Sequence, residues 1–233
     1  GQRVADRVRV ATTYPMPPSG QKGMVGVLTE LVRQLPPADR VSAGFPGMVR
    51  NGRILSAPHF VTELGPGSPV DPKLSKVWTG FDLAKALTES IGSPARVAND
   101  ADVQGLAVIQ GKGLELVITL GTGFGTALFL EGQLLPHLEV AHQPFRKGET
   151  YNEQLGERTR KMISDQRWNR RVRRAVQTLD AMFFFDRLYI GGGNAKRVRR
   201  DDLGNVGKRV TIVDNSAGIL GGIRLWEGAH LAV

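Results

Sequence analysis

The chain has 233 residues, of which 41% are hydrophobic and 23% charged, an ordinary composition for a globular protein. It contains no cysteine, which excludes disulfides and thiolate metal sites and is compatible with a cytoplasmic location, and no run approaches 18 apolar residues, so no membrane span is predicted. Lysine and arginine exceed aspartate and glutamate by 31 − 22 = 9, an excess that favours a polyanionic partner such as nucleic acid, an anionic surface or a phosphate polymer, or serves solubility alone.

Apolar periodicity and turn residues predict alternating strands and helices through the first half of the chain. In order these are a strand at 1–13, a helix at 22–34, a strand at 41–45, a hairpin at Asn51-Gly52, a Gly- and Pro-rich loop at 60–76, a helix at 80–91, a strand at 94–98 and a helix at 100–110.

The second half continues the alternation and adds one antiparallel meander. Its predicted elements are three strands joined by tight turns over 115–135, an irregular segment at 137–150, helices at 152–163 and 168–182, a strand at 186–190, a strand at 209–213 and a helix at 217–226. This order predicts an α/β fold with a mixed sheet.

Three glycines in five positions form a turn, Gly121-Thr122-Gly123-Phe124-Gly125, between two apolar runs. Glycine permits positive φ, so successive N–H groups can point at one oxyanion. A dinucleotide-binding motif would have to open a helix, whereas the following TALFL continues as a strand. The turn is therefore a candidate phosphate site, or a loose hairpin without a ligand.

Asn99 and Asp100 stand where a buried strand passes into a helix. Either side chain could cap that helix. A carboxylate at the carboxyl end of a strand also faces the crevice where α/β proteins bind ligands, and it could accept the proton of a sugar hydroxyl during phosphoryl transfer.

Glu139 and His142, with His137 just before them, lie in the irregular segment. A carboxylate and an imidazole close together can bind neighbouring hydroxyls. A zinc site and ordinary surface positions are the alternatives, and the lack of cysteine and of a helical H-E-x-x-H motif disfavours zinc.

Basic residues are concentrated in two clusters. Between 158 and 174, eight cations stand against one acid, Asp165. An apolar stripe at i, i+3, i+4 and i+7, beginning at Val172, predicts the buried face of this helix. The cations predicted to lie largely in solvent are Arg170, Arg171, Arg173 and Arg174, and the second cluster includes Lys196 and Arg197. Such mutually repelling charges favour a polyanionic companion, with a solvated face as the alternative.

Taken in order, several segments resemble the ROK family of sugar kinases and, within it, the polyphosphate glucokinases. They include GFPGMVRNG at 44–52, VANDADVQGLAVIQG at 97–111, VITLGTGFGTALFLEGQLLPHLEVAH at 117–142 and LYIGGGNA at 188–195. The resemblance covers nearly the whole chain. It implies a two-lobed actin-like ATPase (ribonuclease H-like) fold with mixed sheets: a smaller lobe at 1–98, a larger lobe at 99–216, and a C-terminal helix at 217–233 that packs back on the smaller lobe.

The resemblance also implies phosphoryl transfer from inorganic polyphosphate or ATP to the 6-hydroxyl of glucose, with Mg²⁺ and without zinc. Asp100 would be the general base, and it would bind the sugar together with Gly47, Asn99, Glu139, His142 and Glu153. The implied phosphate-binding residues are Gly121, Thr122, Gly123, Gly192 and Gly193. The implied polyphosphate track is Arg170, Arg171, Arg173, Arg174, Lys196 and Arg197.

The sequence departs from the family in two places. FRKGETYNEQ at 145–154 stands where many members carry a cysteine-rich zinc motif. Members also begin with a strand and an Asp-x-Gly-Gly-Thr phosphate hairpin, and this sequence is expected to start after that first hairpin. A catalytically impaired glucose-binding sensor is therefore the alternative function.

A nucleic-acid-binding regulator is less favoured, because the basic clusters lack interleaved aromatic residues. The resemblance implies a homodimer. The residues leave open which donor is preferred and whether mannose is accepted.

Overall fold

The computed structural model describes residues 5–65, 68–214 and 217–227, and the chain divides into two units, Gly1–Asp100 and Ala101–Val233. None of the helices in these described ranges is both long and apolar enough to cross a membrane. The predicted α/β class with mixed sheets is confirmed. The predicted lobe boundary after residue 98 stays a prediction.

The first unit contains three helices and four strands within its described residues. They are α1 (Met24–Arg33), β1 (Val41–Phe45), β2 (Val49–Arg50), β3 (Arg53–Ile54), α2 (Pro72–Trp78), α3 (Leu83–Ile91) and β4 (Ala95–Asn99). β1 and β4 pair in parallel from Val41 opposite Ala95 to Phe45 opposite Asn99, so their carboxyl ends lie side by side.

An aromatic cluster fills the core of this unit. The rings of Phe45, Phe60 and Trp78 lie with their centroids 5.5 Å apart in each pair. The indole nitrogen of Trp78 donates to the carbonyl of Met16 at 3.0 Å, so the one polar atom of this buried ring has a partner. The core holds the end of β1, from which the Gly-Phe-Pro-Gly turn leaves.

The second unit is built on a mixed sheet of five strands in the order β11-β10-β5-β6-β7. These strands are β5 (Leu114–Leu120), β6 (Phe124–Leu130), β7 (Gln133–Leu134), β10 (Arg187–Gly191) and β11 (Val210–Ile212). β10 runs parallel to both β5 and β11, whereas β5, β6 and β7 form the predicted antiparallel meander.

Helices and one small hairpin complete this unit. They are α4 (Asp100–Leu106), whose first residue closes the first unit, β8 (Pro144–Arg146), β9 (Glu149–Thr150), α5 (Tyr151–Leu155), α6 (Glu157–Met162), α7 (Asp165–Phe183) and α8 (Ala217–Glu227). Two 3-10 segments, Ala195–Arg197 and Arg200–Arg209, join β10 to β11.

The apolar stripe of α7 packs against the sheet, as its spacing predicts. Val172, Ala175, Val176 and Leu179 are all buried, together with Trp168. Ser164 begins the helix by accepting a hydrogen bond from the amide of Arg167. Because this stripe faces the sheet, the arginines between its residues lie on the other sides of α7.

Glu115 anchors the segment that leads into β5. This carboxylate is fully buried and accepts hydrogen bonds from the amides of Gln110 at 2.8 Å, Gly111 at 2.6 Å and Lys112 at 3.2 Å. The hydroxyl of Tyr189 donates to it at 2.7 Å, and burial together with this bond raises the pKa of Tyr189 to about 12. The carboxylate thereby ties β5 to its neighbour β10.

Two sequence predictions in the first unit are wrong. Residues 5–13 form no strand, and residues 1–4 of that prediction lie outside the described residues; Val10 is 57% exposed, so the alternation has no buried face to support a strand. The predicted loop at 60–76 contains the start of α2. Asp71 caps this helix through the amide of Lys73 at 2.7 Å and Pro72 takes its first position, so this proline begins a helix.

The second unit also differs from the prediction in detail. The helix predicted at 152–163 is divided into α5 and α6, because Gly156 has an extended backbone with φ −65° and ψ 167°. A side chain at Gly156 would also overlap the carbonyls of Asn152 and Thr122. The segment predicted as irregular at 137–150 contains the β8–β9 hairpin, and the 3-10 segments were not predicted. In α8, Arg224 donates to the carbonyl of Leu106 in α4 at 2.8 Å. Packing of 217–233 on the first lobe stays a prediction, and 228–233 lie outside the described residues.

Candidate active site

The glycine turn between β5 and β6 is closed by its own backbone and supported from two sides. The amide of Gly121 donates to the carbonyl of Gly123 at 3.0 Å. The amide of Phe124 donates to the side-chain oxygen of Asn152 at 2.9 Å, and the amide of Glu157 donates to the carbonyl of Gly121 at 3.0 Å. Thr122 is exposed at the tip of this turn. The turn is therefore a fixed loop, as an anion-binding loop needs to be.

The glycines of this turn differ in how much space surrounds them. A side chain at Gly123 would overlap the side-chain oxygen of Asn152. A side chain at Gly121 would meet no described atom within 4 Å. Glycine is thus required by packing at Gly123, whereas Gly121 borders open space that a ligand can enter.

The turn after β10 lies against the base of the glycine turn. Gly192 has φ +88°, and a side chain there would overlap the backbone of Leu120. Asn194, which is buried, donates its amide to the carbonyl of Leu120 at 2.9 Å and its side-chain nitrogen to the carbonyl of Gly121 at 3.3 Å. The structure therefore brings the predicted phosphate residues Gly121, Gly123 and Gly192 together, with Gly193 exposed beside them.

Glu157, the first residue of α6, places an acid next to the glycine turn. Arg160 donates to this carboxylate at 3.0 Å, and Lys161 lies 3.1 Å from it. Hydrogen bonds from Arg160, Asn194 and Lys161, in that order of size, lower the pKa of Glu157 to about 2. The acid is paired with two cations, so its charge is compensated where an anionic ligand would approach.

The segment that carries Glu139 and His142 is attached to the start of α5. The amide of Asn152 donates to the carbonyl of Ala141 at 2.9 Å, and the amide of Tyr151 donates to that of Gln143 at 3.2 Å. Glu139 keeps 23% of its side chain exposed, and His142 is exposed. Both side chains are therefore accessible while their backbone is held.

Glu153 has a structural part in the same region. It forms a capping box with Thr150: the amide of Thr150 donates to the Glu153 carboxylate at 2.8 Å, and the amide of Glu153 donates to the Thr150 hydroxyl at 3.2 Å. The backbone and side-chain hydrogen bonds from Thr150 lower the pKa of Glu153, and the charge of His142 adds to this. A sugar contact by Glu153 stays a prediction.

Three other predicted residues lie together in the first unit. Asn99, at the end of β4, is buried and donates its side-chain nitrogen to the carbonyl of Gly47 at 3.0 Å. Gly47 admits no side chain, because one would overlap the carbonyl of Ser56. Asp100 follows Asn99 and is exposed. A Cβ atom added at Gly44 would lie 3.3 Å from the Cα of Asp100, so the two backbones are close together. The parallel pairing of β1 and β4 causes this convergence.

The sequence interpretation missed a buried, hydrogen-bonded pair of side chains behind the Glu139 segment. Nδ1 of His137 lies 3.0 Å from Oδ1 of Asp102, and both side chains are 4% exposed. Nε2 of the same ring lies 3.9 Å from Oε2 of Glu139. Asn152 and Asn194 were missed as well. Asn194 follows the Gly191-Gly192-Gly193 run, whereas no such signal stands beside Asn152, and the partners of both are far away along the chain.

The predicted arginines of α7 are not all in solvent. Arg171 is partly buried and donates to the carbonyl of Gln154 at 3.2 Å; its burial, and then the charge of Arg146, lower its pKa. The guanidinium of Arg174 lies 5.7 Å from the ring centroid of Phe145. Arg170 and Arg173 are exposed, as are Lys196 and Arg197, and Arg197 lies 3.4 Å from Asp165.

No protein-family model matches the sequence. The polyphosphate glucokinase of Mycobacterium tuberculosis (strain CDC 1551 / Oshkosh) is 25% identical over 238 residues, which cover 95% of this chain and 81% of that protein. The chain is a homologue of the polyphosphate glucokinases. The polyphosphate glucokinase of Mycobacterium leprae (strain TN) is also 25% identical, over 213 residues that cover 86% of this chain and 59% of that protein.

Solved structures agree with this homology. The inorganic polyphosphate/ATP-glucomannokinase from Arthrobacter sp. strain KM has a TM-score of 0.72 and 28% identity, covering 97% of this chain and 90% of that one. A ROK family glucokinase from Streptomyces griseus, solved with glucose and AMPPNP, has a TM-score of 0.66 and 17% identity, covering 97% and 93%. The fold is the actin-like ATPase fold of the ROK sugar kinases.

Proposed function

We propose that this chain transfers a phosphoryl group from inorganic polyphosphate or ATP to the 6-hydroxyl of glucose. The observation that carries the proposal is its homology to polyphosphate glucokinases along 95% of its length. The supported glycine turn, with open space at Gly121, adds a place for phosphate oxygens.

In the proposed reaction Asp100 is the general base. Its carboxylate accepts the proton of the glucose 6-hydroxyl while that oxygen attacks the terminal phosphorus of the donor. The new bond joins O6 to phosphorus, and the bond between phosphorus and the bridging oxygen of the donor breaks. The shortened phosphate chain, or ADP, leaves with the electron pair. The exposure of Asp100 at the start of α4 supports this part.

The remaining predicted residues are proposed to bind the two substrates. Sugar hydroxyls would be bound by Gly47, Asn99, Glu139, His142 and Glu153, and donor phosphates by Gly121, Thr122, Gly123, Gly192 and Gly193. The amides of Gly121 and Phe124 already donate within the protein, so the backbone N–H groups proposed to face the phosphates are those of Thr122 and Gly123. N–H groups of a fixed turn stabilise developing charge on phosphoryl oxygens without reorganising, which lowers the barrier.

We also propose that the arginines of α7 bind the polyphosphate chain. Arg170 and Arg174 are four residues apart and Arg171 and Arg174 three apart, so each of these pairs is adjacent on the helix surface. Arg146 on β8 acts electrostatically on Arg171, which places like charges close together. A polyanion would relieve their repulsion. Arg173, Lys196 and Arg197 belong to the same proposed track.

Magnesium is the cofactor expected for this reaction. The described residues contain no group of three or more His, Asp or Glu side chains that could hold a metal ion. Mg²⁺ commonly binds substrate phosphates with only one or two protein carboxylates. Bound to the donor, it would neutralise phosphate charge. A homodimer and a cytoplasmic location stay predictions.

The function is tested by measuring glucose 6-phosphate formation with polyphosphate and with ATP. Wild-type protein should form product, and Asp100→Asn should lower kcat by about 100-fold or more while the protein stays folded. Asp39→Asn, at an exposed aspartate in the same unit, is the matched control and should keep full activity.

The same experiment separates the sensor alternative. Glucose binding by calorimetry without turnover from either donor would support a sensor. Full activity of Asp100→Asn would remove Asp100 from the mechanism. Repeating the assay with mannose reports whether the second sugar is accepted.

A further inference from the structure

The buried pair Asp102–His137 lies behind a residue proposed to bind the sugar. The His137 ring has a carboxylate on each side: Asp102 is 3.0 Å from Nδ1, and Glu139 is 3.9 Å from Nε2. The two inner side chains are almost completely buried, whereas Glu139 reaches the surface. The three groups therefore form a line from the core of the second unit to its surface.

The geometry determines how the imidazole is held. Because an ionised carboxylate can only accept, the contact of 3.0 Å between Nδ1 and Oδ1 of Asp102 is a hydrogen bond that the ring nitrogen donates. That bond fixes the plane of the ring and turns Nε2 toward Glu139. The distance of 3.9 Å between Nε2 and Oε2 of Glu139 exceeds a direct hydrogen bond, but it places the ring edge beside the carboxylate.

The pair also joins two parts of the chain that the proposed reaction uses. Asp102 lies two residues after Asp100 in α4, and His137 lies two residues before Glu139. In other enzymes, a carboxylate that orients a histidine acts through that histidine on the reacting groups. A buried Asp102 carboxylate without a hydrogen-bond partner would raise the free energy of the folded state. The contact therefore holds His137 in place as well.

We propose that Asp102 and His137 are positioning residues that orient the Glu139 carboxylate for binding sugar hydroxyls. This inference rests on the proposed function, because Glu139 matters in this way only if the site binds a sugar. Neither residue touches the substrate; each acts through Glu139.

A second contact in the same segment supplies a control. The hydroxyl of Thr126, also buried, donates to the carbonyl of Leu138 at 2.8 Å. Thr126→Val removes this support of the segment and leaves both carboxylates and the imidazole in place. If His137 acted only by supporting the backbone of this segment, Thr126→Val would therefore change the KM for glucose as much as a His137 variant does.

The test uses His137→Asn, since an asparagine amide can still donate to Asp102 but has no atom in the position of Nε2. We expect this variant to melt near the wild-type temperature and to raise the KM for glucose on the order of tenfold, a loss typical of a slightly misplaced group. Thr126→Val should change this KM much less. In the Glu139→Gln variant, adding His137→Asn should not change the KM for glucose further, because His137 acts through the Glu139 carboxylate.

Three results would overturn the inference while leaving the proposed function intact. They are an unchanged glucose KM in His137→Asn, an equal rise in Thr126→Val, or the full effect of His137→Asn persisting in Glu139→Gln. Failure of the proposed function is seen separately, in wild-type protein that neither binds glucose by calorimetry nor forms glucose 6-phosphate, and it would remove this inference as well.

Discussion

Asn152 joins Phe124 of the glycine turn to the segment of Glu139 and His142. Its side-chain oxygen accepts from the amide of Phe124 at 2.9 Å, and its own amide donates to the carbonyl of Ala141 at 2.9 Å. One residue thus connects the proposed phosphate site with the proposed sugar site inside the second unit.

We predict that Asn152→Ala destabilises the protein by about 1–3 kcal/mol, because it leaves the amide of Phe124 without its acceptor. For a chain of this size, this corresponds to a fall of several degrees in melting temperature. Asn152→Asp keeps an acceptor and should melt higher than the alanine variant, but its charge should raise the KM for the phosphoryl donor. Calorimetric melting and donor kinetics measure both effects.

Asn205→Ala is the control, because Asn205 is exposed on the second 3-10 segment. It should match the wild type in both measurements. Equal melting temperatures for Asn152→Ala and Asn205→Ala would contradict the proposed bridge.

Alanine at two glycines of one turn should have opposite consequences. Gly123→Ala places a methyl group onto the side-chain oxygen of Asn152 and should cost about 1–3 kcal/mol of stability. Gly121→Ala meets no described atom within 4 Å and should leave the melting temperature unchanged, while its methyl group narrows the space for the donor. Thermal melting and donor KM of the pair provide the measurement. The prediction fails if Gly121→Ala is the less stable variant.

The ionised carboxylate of Glu157 should stabilise the folded protein near neutral pH, and this contribution should disappear in acid. Its pKa is about 2 in the folded protein against an ordinary value of 4.5, so the ionised carboxylate favours the folded state above about pH 4.5. That contribution is lost as the pH falls toward 2. The difference in melting temperature between wild type and Glu157→Gln should be constant near neutral pH and shrink between pH 4.5 and 2.

Glu63→Gln, at an exposed glutamate, is the matched control and should show no such window. A constant difference between wild type and Glu157→Gln down to pH 2 would show that the carboxylate charge does not stabilise the fold.

Polyphosphate and ATP should respond differently to loss of charge on α7. The double variant Arg170→Gln, Arg174→Gln removes two exposed cations, and we expect the KM for long-chain polyphosphate to rise roughly three- to tenfold, as for weak ion pairs at a surface. The effect should diminish as salt is added, because exposed charges are screened. The KM for ATP should change little.

Arg50→Gln removes an exposed arginine from the first unit and should leave both constants unchanged. If the double variant raises the KM values for ATP and polyphosphate equally, these arginines do not form a track for the longer donor.

Elements with a strong local pattern could be predicted from the sequence. The β5–β6 turn follows from its glycines between two apolar runs, and α7 follows from an apolar stripe that the sheet does bury. The start of α2 could not be predicted from composition, because a proline is compatible both with a loop and with the first position of a helix.

The supporting residues of the site could not be predicted for a different reason. Asp102 and His137 are 35 residues apart, and Asn152 is 28 residues from its partner Phe124. Each contact exists only because the sheet and helices bring distant segments together. Periodicity within a short window holds no information about such pairs.

The Asn-Asp-Ala-Asp segment at 99–102 carries one carboxylate that is exposed, at Asp100, and one that is buried, at Asp102. A mutational screen that scores sugar phosphorylation in cells would record damage at both positions and treat them as equivalent. Measuring the amount of folded protein per cell would separate them: variants of Asp100 should be as abundant as the wild type, whereas Asp102→Ala should be depleted.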